Sequence, residues 1–385
     1  MTLSECTPIT LAVVRRRYSR FGGAERFIER SLDGLSAIDI RPTLVCAEWD
    51  EAGDTTPPNW ELVRLGLTQG FSRAQRELNF ERDVLALLAQ RRFDLIQSHE
   101  RIAGLPIFRA GDGLHCEWLQ QRSRVQSRPA RWLTQWSPYH RFCLARERQM
   151  LRHPGLRIVI CNSEMVRLEI AEHFPEVLHK VRVVRNGIDP SEFQPPTPEQ
   201  RLQARISLGY ADNRPIFLFL GSGFERKGVT TILRAAALVP NARFLIVGKD
   251  KHLSRYQSLA TTLKVDDRVR LAGATNQVQT CLDAADAFFF PTLYDPGPNA
   301  VLEAMAKGLP VLTSRKCGLA ELIEPACAGF VHDALDVASF AGSLHALLDE
   351  SRRRVMGSAA REVALQLDVG TLTSKLRSVY AEVLG

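Results

Sequence analysis

Short apolar runs recur along the whole chain, each followed by polar or glycine-rich residues and often by a segment of helical periodicity. In the first half they cover residues 9–14, 42–47, 93–97, 156–161 and 181–184, and in the second half 216–220, 243–247, 269–273, 287–290 and 311–313. Runs this short and this apolar are typical of strands buried on both faces of a parallel sheet. Strands that alternate with helices predict the α/β class.

The pattern pauses near residue 190 and then restarts. The stretch Asn186–Pro190 and the prolines at positions 195, 196 and 198 indicate a linker, because proline disrupts helices and central strands. At 385 residues, the chain also exceeds the ~250–300 residues at which a single core stops growing. We therefore predict a first domain over residues 1–190, a second over 191–367 and a final helix over 368–385.

The stretch YDPGPNAVLEAMAKGLP, residues 294–310, follows one of the apolar runs. Its first residues cannot continue a strand, and Pro298 suits the first turn of a helix, where its missing N–H costs nothing. The pattern predicts a helix over Asn299–Ala306 that ends at Gly308. The start of this helix would offer unpaired N–H groups to an anion of phosphate size, from Asn299, Ala300 and Val301.

Two carboxylates flank this helix start, Asp295 in the preceding loop and Glu303 within the helix. Glu303 follows Asn299 by four positions and therefore shares its helix face. Carboxylates beside an anion site indicate a ligand that also carries hydroxyl groups, since an ionised carboxylate accepts hydrogen bonds from them. The alternative is a capped surface helix with two solvated acids.

Glycines follow the first apolar run of each half, at Gly22 and Gly23 and within GSGFERKG, residues 221–228. Such glycines let the backbone approach a nucleotide closely, or they serve helix packing alone. Arg226 and Lys227 can neutralise a diphosphate, and as a loop cation Lys227 is expected to have little role in packing. The loop lacks a Walker Gly-Lys-Ser/Thr sequence, which argues against an ATPase.

Three polar residues follow apolar runs of the first half. His99 comes just after the run 93–97, and Asp112 and His115 come after Phe108. Side chains at the carboxyl ends of parallel strands point into the crevice where such sheets bind ligands. All three are candidate ligand contacts, and a structural histidine or a turn-stabilising aspartate is the alternative.

The formal net charge of the chain is +7. Residues 101–153 hold ten arginines and three acidic residues, so the excess of positive charge in this segment equals that of the whole chain. The same segment contains Trp118, Trp132 and Trp136. Arginine interleaved with tryptophan predicts a surface that rests on an anionic interface. The alternative is that the tryptophans belong to the core and the arginines form a solvated face. A nucleic-acid-binding module would explain the arginines but not the acids around Asn299.

Other features of the composition bear on location and redox state. The eight cysteines show no C-x-x-C motif and no regular spacing, so we expect reduced, mostly buried thiols and no zinc site. No apolar stretch approaches the ~20 residues that span a bilayer. The first residues do not form a signal peptide, so we expect a cytosolic protein.

The acids Asp295 and Glu303, with seven residues between them, and the continuation LEAMAKGLPV over 302–311 resemble the motif of the retaining glycosyltransferases of family 4. The resemblance is strong over 216–330 and continuous over 9–189. It implies the GT-B architecture, in which two Rossmann-like domains face each other across a cleft. Asp295 stands where the family usually has glutamate, and Ser222 stands where the family usually has an arginine that Arg226 would replace.

The resemblance also implies a role for each candidate residue. Lys227 and Arg226 would stabilise the leaving diphosphate, and Asp295 and His99 would contact the donor sugar. Asp112 and His115 resemble the acceptor-side loop of lipopolysaccharide-core glucosyltransferases. Further contacts with the nucleotide sugar are implied for Gly22, Gly23, Gly221, Ser222, Gly248, Val278, Asn299, Ala300, Val301 and, at the ribose, Glu303.

The implied reaction is a retaining transfer of a sugar from a nucleotide diphosphate, most simply a UDP-sugar, to a hydroxyl group of a glycolipid such as the lipopolysaccharide core. It would take place at the cytoplasmic face of the inner membrane. No metal or other cofactor is expected, in line with the lack of a D-x-D motif at a strand end, and no nucleic-acid partner is expected. A nucleotide-sugar-binding protein without activity and a GT-B epimerase with a soluble substrate are the alternatives.

Overall fold

A computed structural model describes residues 8–18, 23–49, 60–66 and 70–385. The contacts within the chain divide it into two compact units. The first unit joins the residues up to Gly187 to the C-terminal segment Val369–Gly385, and the second spans Ile188–Asp368.

Strands and helices alternate along most of the described chain, as the apolar runs predict. The strands are β1 (Ile9–Val14), β2 (Arg17–Tyr18), β3 (Ile40–Cys46), β4 (Glu48–Trp49), β5 (Glu61–Arg64), β6 (Leu95–Ser98), β7 (Ile107–Ala110), β8 (Ile158–Cys161), β9 (Val181–Val183), β10 (Ile216–Leu220), β11 (Arg243–Val247), β12 (Val269–Gly273), β13 (Ala287–Phe290), β14 (Val311–Ser314) and β15 (Gly329–His332). The helices are α1 (Gly23–Ser36), α2 (Arg73–Gln90), α3 (His115–Ser123), α4 (Arg128–Gln135), α5 (Pro138–Leu151), α6 (Glu164–His173), α7 (Pro198–Ser207), α8 (Phe224–Lys227), α9 (Val229–Leu238), α10 (Leu253–Thr262), α11 (Val278–Ala284), α12 (Asn299–Ala306), α13 (Ala320–Ile323), α14 (Val337–Ala346), α15 (Glu350–Leu365) and α16 (Val369–Leu384).

The main sheet of the first unit has the order β5-β3-β1-β6-β7-β8-β9, and its strands are parallel. The strand order reverses at β1, which pairs with β3 on one side and with β6 on the other. In doubly wound sheets, ligands bind beyond the carboxyl ends of the strands at such a reversal. Val14 of β1 lies beside Ser98 of β6, so the residues that follow these two strands are neighbours.

The second unit repeats this arrangement with the parallel order β12-β11-β10-β13-β14-β15. Here the reversal lies at β10, between β11 and β13. The central strands β10, β11, β13 and β14 are mostly apolar and buried. The rings of Phe219 and Phe290 stack with their centroids 5.7 Å apart. The loops after β10 and β13 therefore leave adjacent strands of a rigid core.

The C-terminal helix α16 belongs to the core of the first unit. Its apolar face, which includes Leu372, Leu376 and Tyr380, packs in the same cluster as Phe27 and Leu32 of α1. A Cβ atom at Gly34 of α1 would lie 2.3 Å from the Thr373 hydroxyl oxygen. The two helices therefore approach closely, and α16 covers the sheet beside β6.

Two edge strands lie outside the apolar runs of the sequence. β5 is four residues long and alternates between exposed and half-buried positions, and most of β15 is only half-buried. An edge strand needs less apolar surface than a central strand, because it has a neighbour on one side only. Sequence patterning therefore detected the central strands of each sheet more readily than the edges.

The described cysteines are unpaired thiols, and five of them are buried, as expected from their irregular spacing. Cys327 is exposed. Within the described ranges, no helix combines the length and apolar character needed to cross a bilayer.

Two helical glycines provide a paired test of the packing in the second unit. A Cβ atom at Gly357 of α15 would lie 2.1 Å from the carbonyl oxygen of Gly308, whereas one at Gly342 of α14 would have nothing within 4 Å. We expect Gly357→Ala to destabilise the protein by roughly 1–3 kcal/mol through overpacking. Gly342→Ala should instead stabilise it by up to about 1 kcal/mol, because alanine favours the helix. Urea denaturation of both variants checks the difference in sign, and effects of equal sign would contradict the close approach of α15.

Candidate functional site

The helix start predicted from the sequence lies at the carboxyl edge of the second sheet. Helix α12 begins at Asn299 and ends at Ala306, with Pro298 as its N-cap residue. Asn299 and Glu303 are both buried, and the Glu303 side chain has no exposed surface. The positive end of the α12 dipole therefore lies in a largely dry environment, where it interacts more strongly with an anion than it would in water.

One of the predicted backbone donors is already used. The N–H of Val301 donates to the carbonyl oxygen of Pro298 at 3.1 Å. The prediction that Val301 offers an unpaired N–H is therefore wrong, because the first turn of α12 closes tightly and satisfies one of the groups that helix ends usually leave open. The predictions for Asn299, Ala300 and Val301 as ligand contacts stay predictions.

The glycine-rich loop after β10 contains one helical turn, α8, bounded by Gly223 and Gly228 in the left-handed conformation. A Cβ atom at Gly228 would lie 1.9 Å from the carbonyl oxygen of Pro291, so only glycine fits at this contact. The carbonyl oxygen of Arg226 accepts hydrogen bonds from the Leu293 N–H at 2.8 Å and the Thr292 hydroxyl at 3.0 Å. These contacts hold α8 against the loop that leads to α12.

Three predicted contacts of the nucleotide sugar meet where β10 and β11 end. A Cβ atom at Gly248 would lie 1.9 Å from the carbonyl oxygen of Gly221, which explains why glycine occupies position 248. The Ser222 hydroxyl accepts a hydrogen bond from the Lys249 N–H at 3.1 Å. Ser222 therefore ties the two loops together instead of supplying the positive charge usual at this place in the resembling family.

Lys227 and Asp295 form an ion pair with each other. The side chain of Lys227 is only 12% exposed and that of Asp295 only 9%, and the lysine Nζ lies 5.0 Å from the centroid of the Phe290 ring. The expectation that Lys227 has little role in packing is therefore wrong. A buried charge is costly without a partner, so each residue stabilises the other in the folded chain.

Electrostatics around Lys227 favour an incoming anion. Burial lowers the pKa of Lys227, the charge of Arg226 lowers it further, and Asp295 opposes both effects. Two positive groups therefore lie close together, and one of them, Lys227, is directly paired with a carboxylate. The Asp295 backbone is fixed by hydrogen bonds to the loop after β14, with Lys316 at 2.9 Å and Gly318 at 2.8 Å.

Val278, a predicted contact of the nucleotide base, is the first residue of α11 and is half-buried. The Thr275 hydroxyl accepts a hydrogen bond from the Gln277 N–H at 3.0 Å, as in a turn before a helix. Thr275 thus stabilises the turn before α11. The contact of Val278 with the base stays a prediction.

In the first unit, His99 directly follows β6, as the sequence indicated. Its N–H donates to the carbonyl oxygen of Val14 at 2.9 Å, and its ring Nε2 lies 3.0 Å from the side-chain nitrogen of Gln97. Burial, followed by the charges of Arg15 and Arg109, holds the pKa of His99 well below its usual range. His99 is therefore neutral near pH 7.

Asp112 and His115 lie on either side of a short turn after β7. Asp112 is largely exposed and pairs with Arg15 at 3.3 Å. It therefore helps to fix the local structure, and its contact with a ligand stays a prediction. His115 begins α3, and its ring Nε2 lies 3.1 Å from Nδ1 of His140. Burial, with added repulsion from Arg101 and His140, lowers the pKa of His115 to about 3.

The glycine pair after β1 is only partly covered by the described residues. Gly22 lies outside them, and Gly23 is the first residue of α1. Contacts of Gly22 and Gly23 with a sugar or phosphate therefore stay predictions.

Several buried polar residues near these sites were missed by sequence reasoning. Gln97 in β6 and Arg109 in β7 interrupt apolar strands and are 3% and 2% exposed, and that interruption was the available signal. Glu147 is buried and accepts hydrogen bonds from the His115 N–H at 2.7 Å and from Arg101 at 3.3 Å. It thereby anchors the start of α3. Helical periodicity alone gives no sign of that role.

One group of side chains among the described residues could hold a metal ion. Potential ligand atoms of Glu117, Glu172 and His173 lie within 4.8 Å of one another. The carboxylate of Glu117 is already 2.7 Å from Nε2 of His173, so a hydrogen bond accounts for their approach. Within the described ranges, no such group includes Lys227 or Asp295.

Two family models match complementary parts of the chain. The model described as Glycosyltransferase Family 4 matches residues 21–192, and that of the glycosyl transferases group 1 matches residues 200–363. The lipopolysaccharide glucosyltransferase WaaG of Escherichia coli (strain K12) is 25% identical over 321 residues, which are 82% of this chain and 83% of that protein.

Solved structures have the same fold. A crystal structure of WaaG, a glycosyltransferase involved in lipopolysaccharide biosynthesis, matches with a TM-score of 0.83 and 23% identity over 96% of this chain and 99% of that one. The complex of Anabaena Alr3699/HepE with UDP-glucose matches with a TM-score of 0.74 and 18% identity over 97% of this chain and 99% of that one.

The two family models together cover most of both units, and the parallel sheets agree with the fold that the motif around Asp295 and Glu303 implied. The resemblance noted in the sequence is therefore confirmed, and the chain belongs to the family 4 glycosyltransferases of GT-B fold.

Proposed function

We propose that this glycosyltransferase moves a sugar from a UDP-sugar to a hydroxyl group of a phosphorylated glycolipid, with retention at the anomeric carbon. One observation carries the proposal: Lys227 and Arg226 lie together beside the loop that leads into α12, and Asp295 pairs with that lysine. The similarity to WaaG, a lipopolysaccharide glucosyltransferase, and to Alr3699/HepE, which was solved with UDP-glucose, supports these choices of acceptor and donor.

The departure of the diphosphate explains why two positively charged side chains would be needed. When the bond between sugar and diphosphate breaks, negative charge develops on the diphosphate, and fixed positive groups in a dry site stabilise it. Lys227, Arg226 and the start of α12 would supply that stabilisation without a metal ion or other cofactor. The lysine would exchange Asp295 for phosphate oxygens, which leaves the Asp295 carboxylate to accept a hydrogen bond from a sugar hydroxyl.

The remaining residues would orient the donor. A fully buried carboxylate such as Glu303 is well placed to accept hydrogen bonds from two neighbouring ribose hydroxyls, because its charge is not screened by water. Val278 would contact the base, and His99 would contact the sugar. Asp112 and His115 would contribute on the acceptor side.

Helix α4 supports an acceptor in a membrane. Trp132 and Trp136 are each 59% exposed and Leu133 is 64% exposed, and the two tryptophan rings lie 6.1 Å apart. Arg128 and Arg131 on the same helix are exposed and form no ion pair with the described residues. Trp118, by contrast, is half-buried. Tryptophan and arginine together favour the headgroup region of an anionic membrane, so we propose that α4 rests on the cytoplasmic face of the inner membrane.

A nucleotide panel tests the donor. UDP and UDP-glucose should raise the melting temperature more than GDP, ADP and their sugars do at equal concentration, since ligand at ~100 times its Kd stabilises by ~2.7 kcal/mol. Addition of EDTA should leave the shift unchanged. Preference for another nucleotide would overturn the UDP assignment, and a shift that EDTA abolishes would overturn the metal-independent site.

Removal of the Lys227 charge tests the diphosphate site. Lys227→Ala should lower kcat by two to three decades, or ~2.7–4 kcal/mol in the barrier, and should also destabilise the fold, because it leaves Asp295 buried and alone. The double variant Lys227→Met with Asp295→Asn removes both charges, so it should recover stability without recovering turnover. The rate of UDP release from UDP-glucose measures the effect on turnover, and urea denaturation measures the effect on stability.

Lys307→Ala is the matched control for that experiment. Lys307 is also buried and pairs with Asp283 at 2.6 Å, but it lies at the opposite end of α12. Its loss should destabilise the protein while UDP-glucose affinity stays unchanged. If Lys227→Ala behaves in the same way, with normal turnover per folded molecule, Lys227 is a structural residue.

Vesicle sedimentation tests the role of α4. The protein should bind vesicles that contain anionic phosphatidylglycerol, and binding should weaken as salt screens the charges. Trp132→Ala with Trp136→Ala should reduce binding. The control, Leu202→Ala with Ile206→Ala, removes similarly exposed apolar side chains from α7 (56% and 57% exposed) and should not reduce it. Equal binding to neutral phosphatidylcholine vesicles would contradict the proposed surface.

A further inference from the structure

A line of hydrogen bonds connects the C-terminal helix to His99. The Tyr380 hydroxyl of α16 donates to the side-chain oxygen of Gln97 at 2.9 Å. The side-chain nitrogen of Gln97 lies 3.0 Å from Nε2 of His99. Tyr380 and Gln97 are 2% and 3% exposed, so water does not compete for these contacts. Three side chains from α16, β6 and the loop after β6 thus form one buried network.

The direction of these bonds determines which nitrogen of His99 carries the proton. An amide group offers an acceptor at its oxygen and donors at its nitrogen. Because the Gln97 oxygen accepts from Tyr380, its nitrogen faces the imidazole and donates to Nε2. A neutral histidine whose Nε2 accepts a hydrogen bond carries its proton on Nδ1. None of the described residues accepts a hydrogen bond from Nδ1 of His99, and this is the nitrogen that we expect to face a ligand.

Burial is the main reason that the pKa of His99 is low and its ring neutral, and nearby positive charges add to it. Arg15 after β1 and Arg109 in β7 both oppose protonation of His99, and Asp112 after β7 favours it more weakly. The Arg109 guanidinium lies 3.7 Å from the centroid of the Phe27 ring and hydrogen-bonds to Asn186 at 3.0 Å. Burial lowers the pKa of Arg109 only to about 10, so it keeps its positive charge at neutral pH.

The space around this network is too small for a substrate. A cavity of about 10 Å3 adjoins Gln97, His99 and Tyr380, and its lining includes Phe27 and other mostly apolar side chains. That volume is close to what one water molecule needs. Gln97 and Tyr380 therefore do not line a binding pocket, and they act on a ligand only through His99.

We propose that Tyr380 and Gln97 are positioning residues that hold His99 as its Nδ1–H tautomer, so that His99 presents a neutral hydrogen-bond donor to an oxygen of the donor sugar. The inference rests on the proposed function, which places His99 at that sugar. It assigns to α16, the last helix of the chain, a part in the reaction besides packing. It also excludes His99 as a general base through Nε2, because that nitrogen is occupied by Gln97.

The tautomer is measurable without any substrate. Long-range 1H–15N spectra of the full chain labelled with 15N-histidine should show His99 neutral, with Nδ1 protonated, from pH 8 to pH 6. In Tyr380→Phe the Gln97 amide loses the partner that orients it, and the His99 signals should move toward a mixture of tautomers. Thr373→Val is the matched control, because it removes a hydroxyl from the same face of α16 that donates to the Val369 carbonyl within the helix.

Turnover gives the second measurement. With UDP-glucose as the probe, Tyr380→Phe should lower kcat for UDP release roughly fivefold, the factor that corresponds to one hydrogen bond, with a smaller change in KM. Gln97→Glu should have a larger effect, since a carboxylate beside Nε2 favours protonation and raises the pKa of His99. Its rate should then depend on pH between 6 and 8, where the wild type and Thr373→Val do not.

Three outcomes separate this inference from the proposed function. His99→Ala with full turnover would remove the role of His99, and with it the basis of the inference. If His99→Ala is impaired but Tyr380→Phe and Gln97→Glu both keep wild-type spectra and rates, the inference is overturned and the proposed function stands. Protonation of Nε2 in the wild-type spectra would also overturn it, whatever the rates.

Discussion

Parallel pairing of the strands is the constraint on which both units depend. Each parallel neighbour requires a crossover segment, and the crossovers cover both faces of the sheet, so the central strands are largely apolar. The same pairing collects the carboxyl ends of all strands along one edge. Where the strand order reverses, at β1 in one unit and β10 in the other, the following loops diverge and leave room for a ligand. His99 and the loop 221–228 owe their places to this arrangement.

Within the second unit, the chemistry depends on charges held in an apolar setting. Lys227 lies over Phe290 and beside Asp295, in a region where phenylalanine rings stack between the strands. A charge in such surroundings interacts strongly with a partner and costs much without one. The chain therefore carries an internal counter-ion for Lys227, and an anion that binds to this lysine would have to displace it. This competition favours ligands that bring both negative charge for the lysine and hydroxyl groups for the released carboxylate.

In the first unit, support for the candidate residues comes from elements remote in sequence. Glu147 of α5 anchors the start of α3 at His115, and Tyr380 of α16 reaches Gln97 beside His99. These supporting groups are buried polar side chains. Such a side chain is tolerated when its hydrogen bonds are made. Each supporting group thus fixes a neighbour's orientation at little net cost to stability.

The sequence by itself determined the order of strands and helices and the place of the motif, because apolar periodicity, glycine and proline act locally. Helix α12 begins and ends where Pro298 and Gly308 indicate. Only the tertiary structure decided that Lys227 pairs with Asp295, 68 positions away, and that Tyr380 meets Gln97, 283 positions away. These contacts depend on which strands are neighbours and where a terminal helix packs. Local patterns carry no information on either, since many sheet orders bury the same apolar runs equally well.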